Sequence, residues 1–340
     1  MRCSLRGYFI LVASVLLAVG EGLSSPAAAD DFYRGKTINL LIGHEAGGEY
    51  DTHARLVGRH ISKHIPGNPT VVAQNMTGAS GMRVTNYLYN TAPKDGTVIA
   101  MVAENILQNQ AFGESGIQYD ARRLNWIGSM THTSEIVIAW AGTGIKTVDD
   151  ARKREVVIGT STKLTMHYVM STIMNEFLGT KFRIITGYKG GTSMNLAVER
   201  GEVDARVIAW SALKLDKPEW IAEKKVNVLA QMGGKAADLM DVPSVEDLIK
   251  NHEDLELIEL FNSSNRLGRP LATTPDTPVD RVKMLRDAFD ATMKDPAFLA
   301  DTQKAHIDVG PVRGVEMAEE TEHVLATPPA IVQRAKELMQ

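Results

Sequence analysis

The feature that most restricts the fold of this chain is a strand, a glycine-rich turn and a helix in direct succession. Residues 37–43 (TINLLIG) form an apolar run of strand length that ends in glycine, as buried parallel strands do. After the turn, apolar residues recur every three or four positions, which is typical of an amphipathic helix. These positions are Ala54, Val57, Ile61 and Ile65. Further strands over 70–74 and 97–102 complete a βαβαβ opening, so we expect an α/β fold with a mostly parallel sheet.

The same alternation continues to about residue 260, after which helices are predicted to dominate. Further strands are predicted over 135–140, 155–159, 182–186, 205–210 and 226–231. The later helices are predicted around 278–289, 316–325 and 331–339. At 340 residues the chain is long enough for two domains.

Residues 1–29 are predicted to be a signal peptide. Arg2 and Arg6 give a positively charged start, residues 8–20 are apolar and uncharged, and residues 26–29 (PAAA) supply the small residues that a signal peptidase requires. The apolar run is shorter than the roughly 20 residues of a spanning helix, so an uncleaved anchor is the less favoured alternative. No later stretch approaches that length, and the mature chain is expected to be soluble in the periplasm.

Composition argues against several functions. Cys3 is the only cysteine and lies within the predicted signal peptide, so the mature chain has no disulfide, catalytic thiol or cysteine-bound metal. The net charge of −4 becomes about −5 when two arginines and one glutamate are removed, and such a mildly acidic chain is not expected to bind nucleic acid. The GxSxG, GxxxxGK[ST] and complete GxGxxG motifs are missing, so neither catalysis nor a cofactor is expected.

The histidines do not form a metal motif. His44, Glu45, Glu49 and His53 are close together, but their spacing does not match HExxH. His60 and His64 are four residues apart and could chelate a metal on one helix face. A solvated helix surface is the favoured interpretation, because no nearby carboxylate or cysteine completes a ligand set.

The turn at 43–51 (GHEAGGEYD) is the strongest candidate for ligand binding. Its glycines allow backbone N–H groups to approach a ligand, and the start of the next helix adds unpaired N–H groups and partial positive charge. Together these features are typical of an anion site at the carboxyl end of a parallel strand. A plain βα turn with Asp51 as the helix N-cap explains the same residues equally well.

Two later turns have a similar composition. Residues 160–163 (TSTK) separate a strand from a helix, and their hydroxyls, N–H groups and lysine suit a carboxylate, although an ordinary hydroxyl cap is equally consistent. Residues 188–193 (YKGGTS) form the third such turn. Three polar turns on successive βα units favour a binding site more strongly than any one of them does.

Several short motifs occur in a specific order along the chain. They are Ala46-Gly47-Gly48 with Asp51, 71–75 (VVAQN), 78–81 (GASG), 92–97 (APKDGT), 187–191 (GYKGG), 201–204 (GEVD) and 241–244 (DVPS). In this order they resemble the solute-binding receptors of tripartite tricarboxylate transporters, also called Bug receptors. The resemblance covers residues 32 to about 339, nearly all of the mature chain.

The resemblance implies the fold of a type II periplasmic binding protein. Such proteins have two doubly wound α/β domains, joined by a two-segment hinge, that close on a ligand. For this chain it places the first domain at 31–133 and 258–340, and the second at 134–257.

The resemblance also implies which residues bind the ligand. Family members hold a small carboxylate largely through backbone N–H groups of the first two turns, and they also use loops after later strands. Carried over to this chain, the binding residues are Ala46, Gly47, Gly48, Glu104, Ser161, Thr162, Lys163, Lys189, Gly190 and Ser211. Glu49 and Asp51, at the first turn itself, are further candidates that do not come from the resemblance.

The chain departs from the family pattern near this predicted anion site. The family usually has an apolar, proline-containing lead into the first turn, where this chain has His44-Glu45, and Glu49 adds another carboxylate. In the second turn, residues 162–164 (TKL) stand where the family has more glycines and a serine. Two acids would repel a dicarboxylate, so we hypothesise that the ligand is a monocarboxylate or also carries a cationic group, as an amino acid does.

The sequence therefore favours a monomeric receptor that captures a small carboxylate or amino acid and delivers it to membrane transporter subunits. A sensory input protein without its own transporter would have the same ligand chemistry and is the alternative. A secreted hydrolase or isomerase on a similar fold is disfavoured, because no nucleophile–base pair is visible.

Overall fold

A computed structural model describes residues 32–44, 46–160, 165–188, 191–305 and 307–338, with the side chain of Ser80 left out. The predicted signal peptide lies outside the described residues.

Two β-sheets form the framework of the described chain. The strands are β1 (Thr37–Ile42), β2 (Thr70–Asn75), β3 (Val98–Met101), β4 (Asn125–Ser129), β5 (Glu135–Trp140), β6 (Val156–Gly159), β7 (Phe182–Ile185), β8 (Ala205–Ala209), β9 (Val226–Met232), β10 (Pro270–Thr273) and β11 (Val312–Arg313). The first sheet has the order β11-β4-β10-β3-β1-β2, and the second has the order β7-β6-β8-β5-β9.

Each sheet has an antiparallel strand in its interior. β10 runs antiparallel to β3 and β4, and β5 runs antiparallel to β8 and β9. Each is the first strand after the chain crosses from the other sheet, so it enters at the edge where the parallel strands end. The expectation of a mostly parallel sheet is wrong for these strands. The expectation that strands end near residue 260 is also wrong, since β10 lies in the middle of its sheet.

Helices connect the strands. They are α1 (Glu49–Ile61), α2 (Met82–Asn90), α3 (Ile106–Phe112), α4 (Val148–Lys153), α5 (Met166–Leu178), α6 (Gly191–Glu199), α7 (Trp210–Asp216), α8 (Pro218–Ala222), α9 (Val245–Leu248), α10 (His252–Leu267), α11 (Val279–Thr292), α12 (Pro296–Lys304), α13 (Gly314–Leu325) and α14 (Pro329–Leu338). Both faces of the central strands are covered, because successive residues of a strand enter different hydrophobic clusters. In β3, Val98 packs in one cluster and Ile99 in another, and in β5, Val137 and Ile138 do the same.

The chain passes between the sheets at two places that touch each other. One crossing is residues 130–134, and the other is α10 with Gly268 and Arg269. The backbone N–H of Thr133 in the first crossing donates to the carbonyl of Asn265 in the second at 2.9 Å. The predicted domain boundaries, 133/134 and 257/258, fall in the first crossing and inside α10, and they stay a prediction.

Candidate functional site

A cavity of about 830 Å³ lies between the two sheets. It is bounded by the residues that follow β1, β3 and β8 and by those at the start of β5 and β10. The antiparallel strands bring their first residues to this edge: Glu135 pairs with Ala209, the last residue of β8, and Leu271 pairs with Met101, the last of β3. The cavity therefore lies at the carboxyl ends of the parallel strands, where open α/β sheets bind ligands.

Arg269 lies on the cavity wall and is almost fully buried. Its Nε and Nη2 donate to Glu49 at 3.2 and 2.7 Å, and its Nη1 donates to Glu104. Its guanidinium lies 4.6 Å from the centre of the Tyr50 ring, a cation–π contact. Burial alone would lower the pKa of Arg269, but the carboxylates of Glu104 and Glu49 raise it above its usual value. The arginine is thus permanently charged and shared between two acids.

Tyr50 connects the first turn to the end of β3. Its hydroxyl oxygen accepts a hydrogen bond from the backbone N–H of Glu104 at 3.1 Å, and its ring stacks on His44 with centres 3.8 Å apart. Burial raises the pKa of Tyr50 well above its usual value, and burial lowers the pKa of His44. The two rings are therefore an uncharged part of the wall beside the arginine at neutral pH.

Asp51 fixes the shape of the first turn. Its carboxylate accepts hydrogen bonds from the backbone N–H of Gly47 at 2.9 Å, from Arg55 Nε at 2.8 Å and from Asn75 Nδ2 at 2.8 Å. The hydrogen bond from Arg55 is the main cause that lowers the pKa of Asp51 to about 2. The charge lies in the first turn of α1, where a negative group is favourable. The N–H of Gly47 is thus already used within the turn.

Glu135 and His167 form the opposite wall of the cavity. Glu135 is the first residue of β5 and is 7% exposed, and His167 lies in the first turn of α5. Glu135 Oε2 is 3.6 Å from His167 Nε2, too far for a hydrogen bond. Burial, reinforced by the charge of Glu104, raises the pKa of Glu135 to about 7, and burial lowers the pKa of His167 to about 4. The imidazole is therefore neutral near pH 7, and the pair is not an ion pair.

Arg206 lies behind this wall and is 1% exposed. It donates to the carbonyls of Gly191 at 2.9 Å and Val207 at 3.2 Å and to the side-chain oxygen of Asn195. Burial lowers the pKa of Arg206 to about 10, so the guanidinium is still charged at neutral pH. It supports the start of α6, directly after the third predicted turn.

The structure places only some of the predicted binding residues at the cavity. Glu49, Glu104 and Ser211 line the cavity, whereas Ala46, Gly47, Gly48 and Asp51 are not among its lining residues. Ser161, Thr162, Lys163, Lys189 and Gly190 lie outside the described residues, as does Glu45. Sequence reasoning did not single out Arg269, Glu135 or His167 as site residues.

Acidic groups predominate on the described wall. Its carboxylates are those of Glu49, Glu104, Glu135 and Asp308, and Arg269 is its cation.

Among the described residues, no three metal-ligating side chains come together as a metal site. His60 and His64 pair with Asp301 at 3.1 Å and Asp295 at 2.8 Å, so the expectation of a fully solvated pair is wrong.

Within the described part of the chain, no helix combines the length and apolar character needed to cross a membrane.

Comparisons with known proteins agree with this architecture. The family model "Tripartite tricarboxylate transporter family receptor" matches residues 54–333. A "UPF0065 protein in gbd 5'region" of Cupriavidus necator is 27% identical over 308 residues, 86% of each chain. A solute-binding protein of this type from Polaromonas has 17% identity and a TM-score of 0.71, covering 89% of this chain and 99% of that one. A Rhodopseudomonas palustris protein with bound malate has 15% identity and a TM-score of 0.52, covering 90% and 99%.

The predicted fold class and resemblance are confirmed by these matches and by the two-sheet architecture. The structural neighbours are solute-binding proteins. The chain belongs to the tripartite tricarboxylate transporter receptor family.

Proposed function

We propose that this protein is a periplasmic receptor that captures a small carboxylate-bearing solute between its two α/β halves and delivers it to a membrane transporter. The observation that carries the proposal is the cavity at the carboxyl edges of both sheets, with the start of α1 and the buried Arg269 on one wall. Helix starts and arginines both favour carboxylates. The family match and the malate-bound relative are consistent with this ligand class.

The proposed anion site is the first turn of α1, beside Glu49. Gly47 already donates to Asp51, so the N–H groups of Gly48 and the next residue are the better candidates on this side. Residues 161–163 (STK) would bring N–H groups, hydroxyls and a lysine from the second half. Closing the halves would bring these groups to one carboxylate and exclude water, and a ligand that binds the closed form better would shift the equilibrium toward it.

The acidic wall restricts the ligand further. Glu49 and Glu104 together outweigh the charge of Arg269, so the first half of the cavity is negative on balance. A second carboxylate on the ligand would meet this charge at short range. We therefore propose a ligand with one carboxylate, or with a carboxylate and a compensating cationic group.

A ligand screen tests the proposal. The purified exported protein is titrated with mono-, di- and tricarboxylates and amino acids, and thermal unfolding and tryptophan fluorescence are followed. A true ligand at 100 times its Kd should add about 2.7 kcal/mol of stability. Glu49→Gln should improve binding of carboxylates that the natural protein rejects, whereas Glu114→Gln, at an exposed acid outside the cavity, should not. The absence of any shift across the panel would contradict carboxylate binding.

The alternative function is ligand sensing without transport. Both functions need the same cavity, so a cellular experiment separates them. Deleting the gene should abolish uptake of the identified ligand if the receptor feeds a transporter. Normal uptake together with a lost transcriptional response would instead support the sensor.

A further inference from the structure

The second wall of the cavity contains a carboxylate that the described protein leaves unsatisfied. Glu135 is 7% exposed, and its Oε2 has no hydrogen-bond partner among the described residues. His167 Nδ1, on the same wall, is also buried without a described partner. Buried polar groups in folded proteins are nearly always paired, and an unpaired one destabilises the fold, more so when it is charged. The arrangement therefore requires a functional or structural reason.

The buried cation Arg206 does not provide a structural reason, because it does not pair with Glu135. Arg206 lowers the pKa of Glu135 through its charge, which shows that the two groups are near each other. Its hydrogen bonds, however, go to Gly191, Asn195 and the carbonyl of Val207. Arg206 is thus committed to the start of α6, and Glu135 faces the cavity.

We propose that Glu135, positioned beside His167, binds a protonated amine of the ligand, at the other end of the molecule from the carboxylate held by the first half. This deepens the proposed function and rests on it. The ligand class is then a zwitterionic amino carboxylate. The ammonium group supplies the hydrogen-bond donors that Glu135 lacks, and neutral His167 can accept a further hydrogen bond.

The charges around Glu135 favour a cation over a second anion. The titratable groups that act on it are Glu104, Glu49, Arg206, Arg269 and His167. Burial and Glu104 hold the carboxyl partly protonated near pH 7. A bound ammonium group favours its ionised form, so binding releases a proton, and affinity for the amine rises with pH through this range.

The test compares matched probes that differ only in the amino group, γ-aminobutyrate with butyrate and β-alanine with propionate, by calorimetric titration. The natural protein should bind at least one amino compound at least tenfold more tightly than its partner. Glu135→Gln should lose this preference and retain the deamino compound within about threefold, while Glu135→Asp, which keeps the charge, should retain part of it. Glu176→Gln, an exposed acid on α5, is the matched control.

The pH dependence of amine affinity is a second readout, and a residue with only a structural role would not change it. Between pH 5.5 and 8, amine affinity of the natural protein should rise about tenfold or more, and in Glu135→Gln it should stay flat. An amine preference that survives in Glu135→Gln overturns the inference. Binding of only the deamino probes also overturns it but leaves the proposed function intact, whereas binding of no probe overturns both.

Discussion

At the scale of single residues, Arg269 organises the charges of the cleft. Its planar guanidinium satisfies two carboxylates and a tyrosine ring at once, and each contact uses a different part of the group. Removing it would leave the partly exposed carboxylate of Glu104 without its cation. A residue with this many partners contributes to folding and to the ligand site together, so the two effects must be measured separately.

The first prediction is that Arg269→Gln destabilises the protein by about 1–3 kcal/mol, because the partly exposed Glu49 and Glu104 lose the hydrogen bonds that the buried guanidinium donates. Arg269→Lys should restore only part of this loss, since an ammonium group cannot bridge both acids. Urea unfolding measures both. Arg123→Gln, which removes an exposed pair with Asp276, should cost much less than Arg269→Gln, because exposed ion pairs contribute little to stability. Equal losses at the two arginines would contradict the role given to Arg269.

The second prediction concerns stability against pH at Glu135. Its folded pKa is raised to about 7, from an ordinary value of 4.5, so between these values the folded state binds more protons than the unfolded state. Stability should therefore fall as pH rises through this window. At pH 8, Glu135→Gln should be more stable than the natural protein by up to about 3 kcal/mol, and the difference should vanish near pH 4. Melting temperatures across pH 4–8 test this, with Glu176→Gln expected to follow the natural profile.

Some site residues could be predicted from the sequence, and others could not. Glu49 and Glu104 follow parallel strands, where ligand groups are expected, and both line the cavity. Arg269 instead precedes the antiparallel strand β10, and Glu135 is the first residue of the antiparallel strand β5. Direction within a sheet depends on long-range pairing, so nothing in the local sequence shows that a residue before a strand reaches the same edge.

At the scale of elements, strand and helix positions were largely predictable from local pattern. The prediction of 135–140 coincides with β5. Helix ends also follow local signals: Gly179, the C-cap of α5, has a φ of 68°, which favours glycine. β10 was missed, because a four-residue run that begins with Pro270 carries little periodic signal. Its central position comes from pairing with β3 and β4, which only the folded chain shows.

The third prediction tests the contact between the two crossings. Gly268 caps α10 with φ 57°, and a Cβ there would lie 1.9 Å from the carbonyl oxygen of Thr131. Gly268→Ala should therefore destabilise the protein by at least about 2 kcal/mol, through backbone strain and a collision with backbone. Gly179 also has a positive φ but nothing within 4 Å of its Cβ position, so Gly179→Ala should cost only about 1 kcal/mol. Similar losses in denaturant unfolding would show that the crossings separate easily.

At the scale of the whole molecule, the contacts between the two halves are apolar on one side of the cavity and polar on the other. One hydrophobic cluster continues from Val98 of the first sheet through Phe261 of α10 to Val137 of the second sheet. Across the cavity mouth, the halves meet through Lys214 of α7 and Asp308, 2.7 Å apart. For the closure proposed above, we expect the halves to move about the apolar side and the ion pair to belong to the closed form.

The fourth prediction follows from that ion pair. Lys214 also contacts Asp238, in its own half, at 3.2 Å, so Asp308→Asn removes the link between halves while Lys214 keeps a partner. A partly exposed pair contributes up to about 1 kcal/mol, so the closed form should lose that much and ligand affinity should fall about two- to fivefold. The difference should shrink in 1 M salt, where the screening length of about 3 Å is comparable with the separation of the pair. Asp238→Asn is the matched control, because it removes a contact within one half and should leave affinity nearly unchanged. Equal effects of the two substitutions, or an effect that high salt does not reduce at all, would mean that the pair stabilises α7 locally and does not report closure of the molecule.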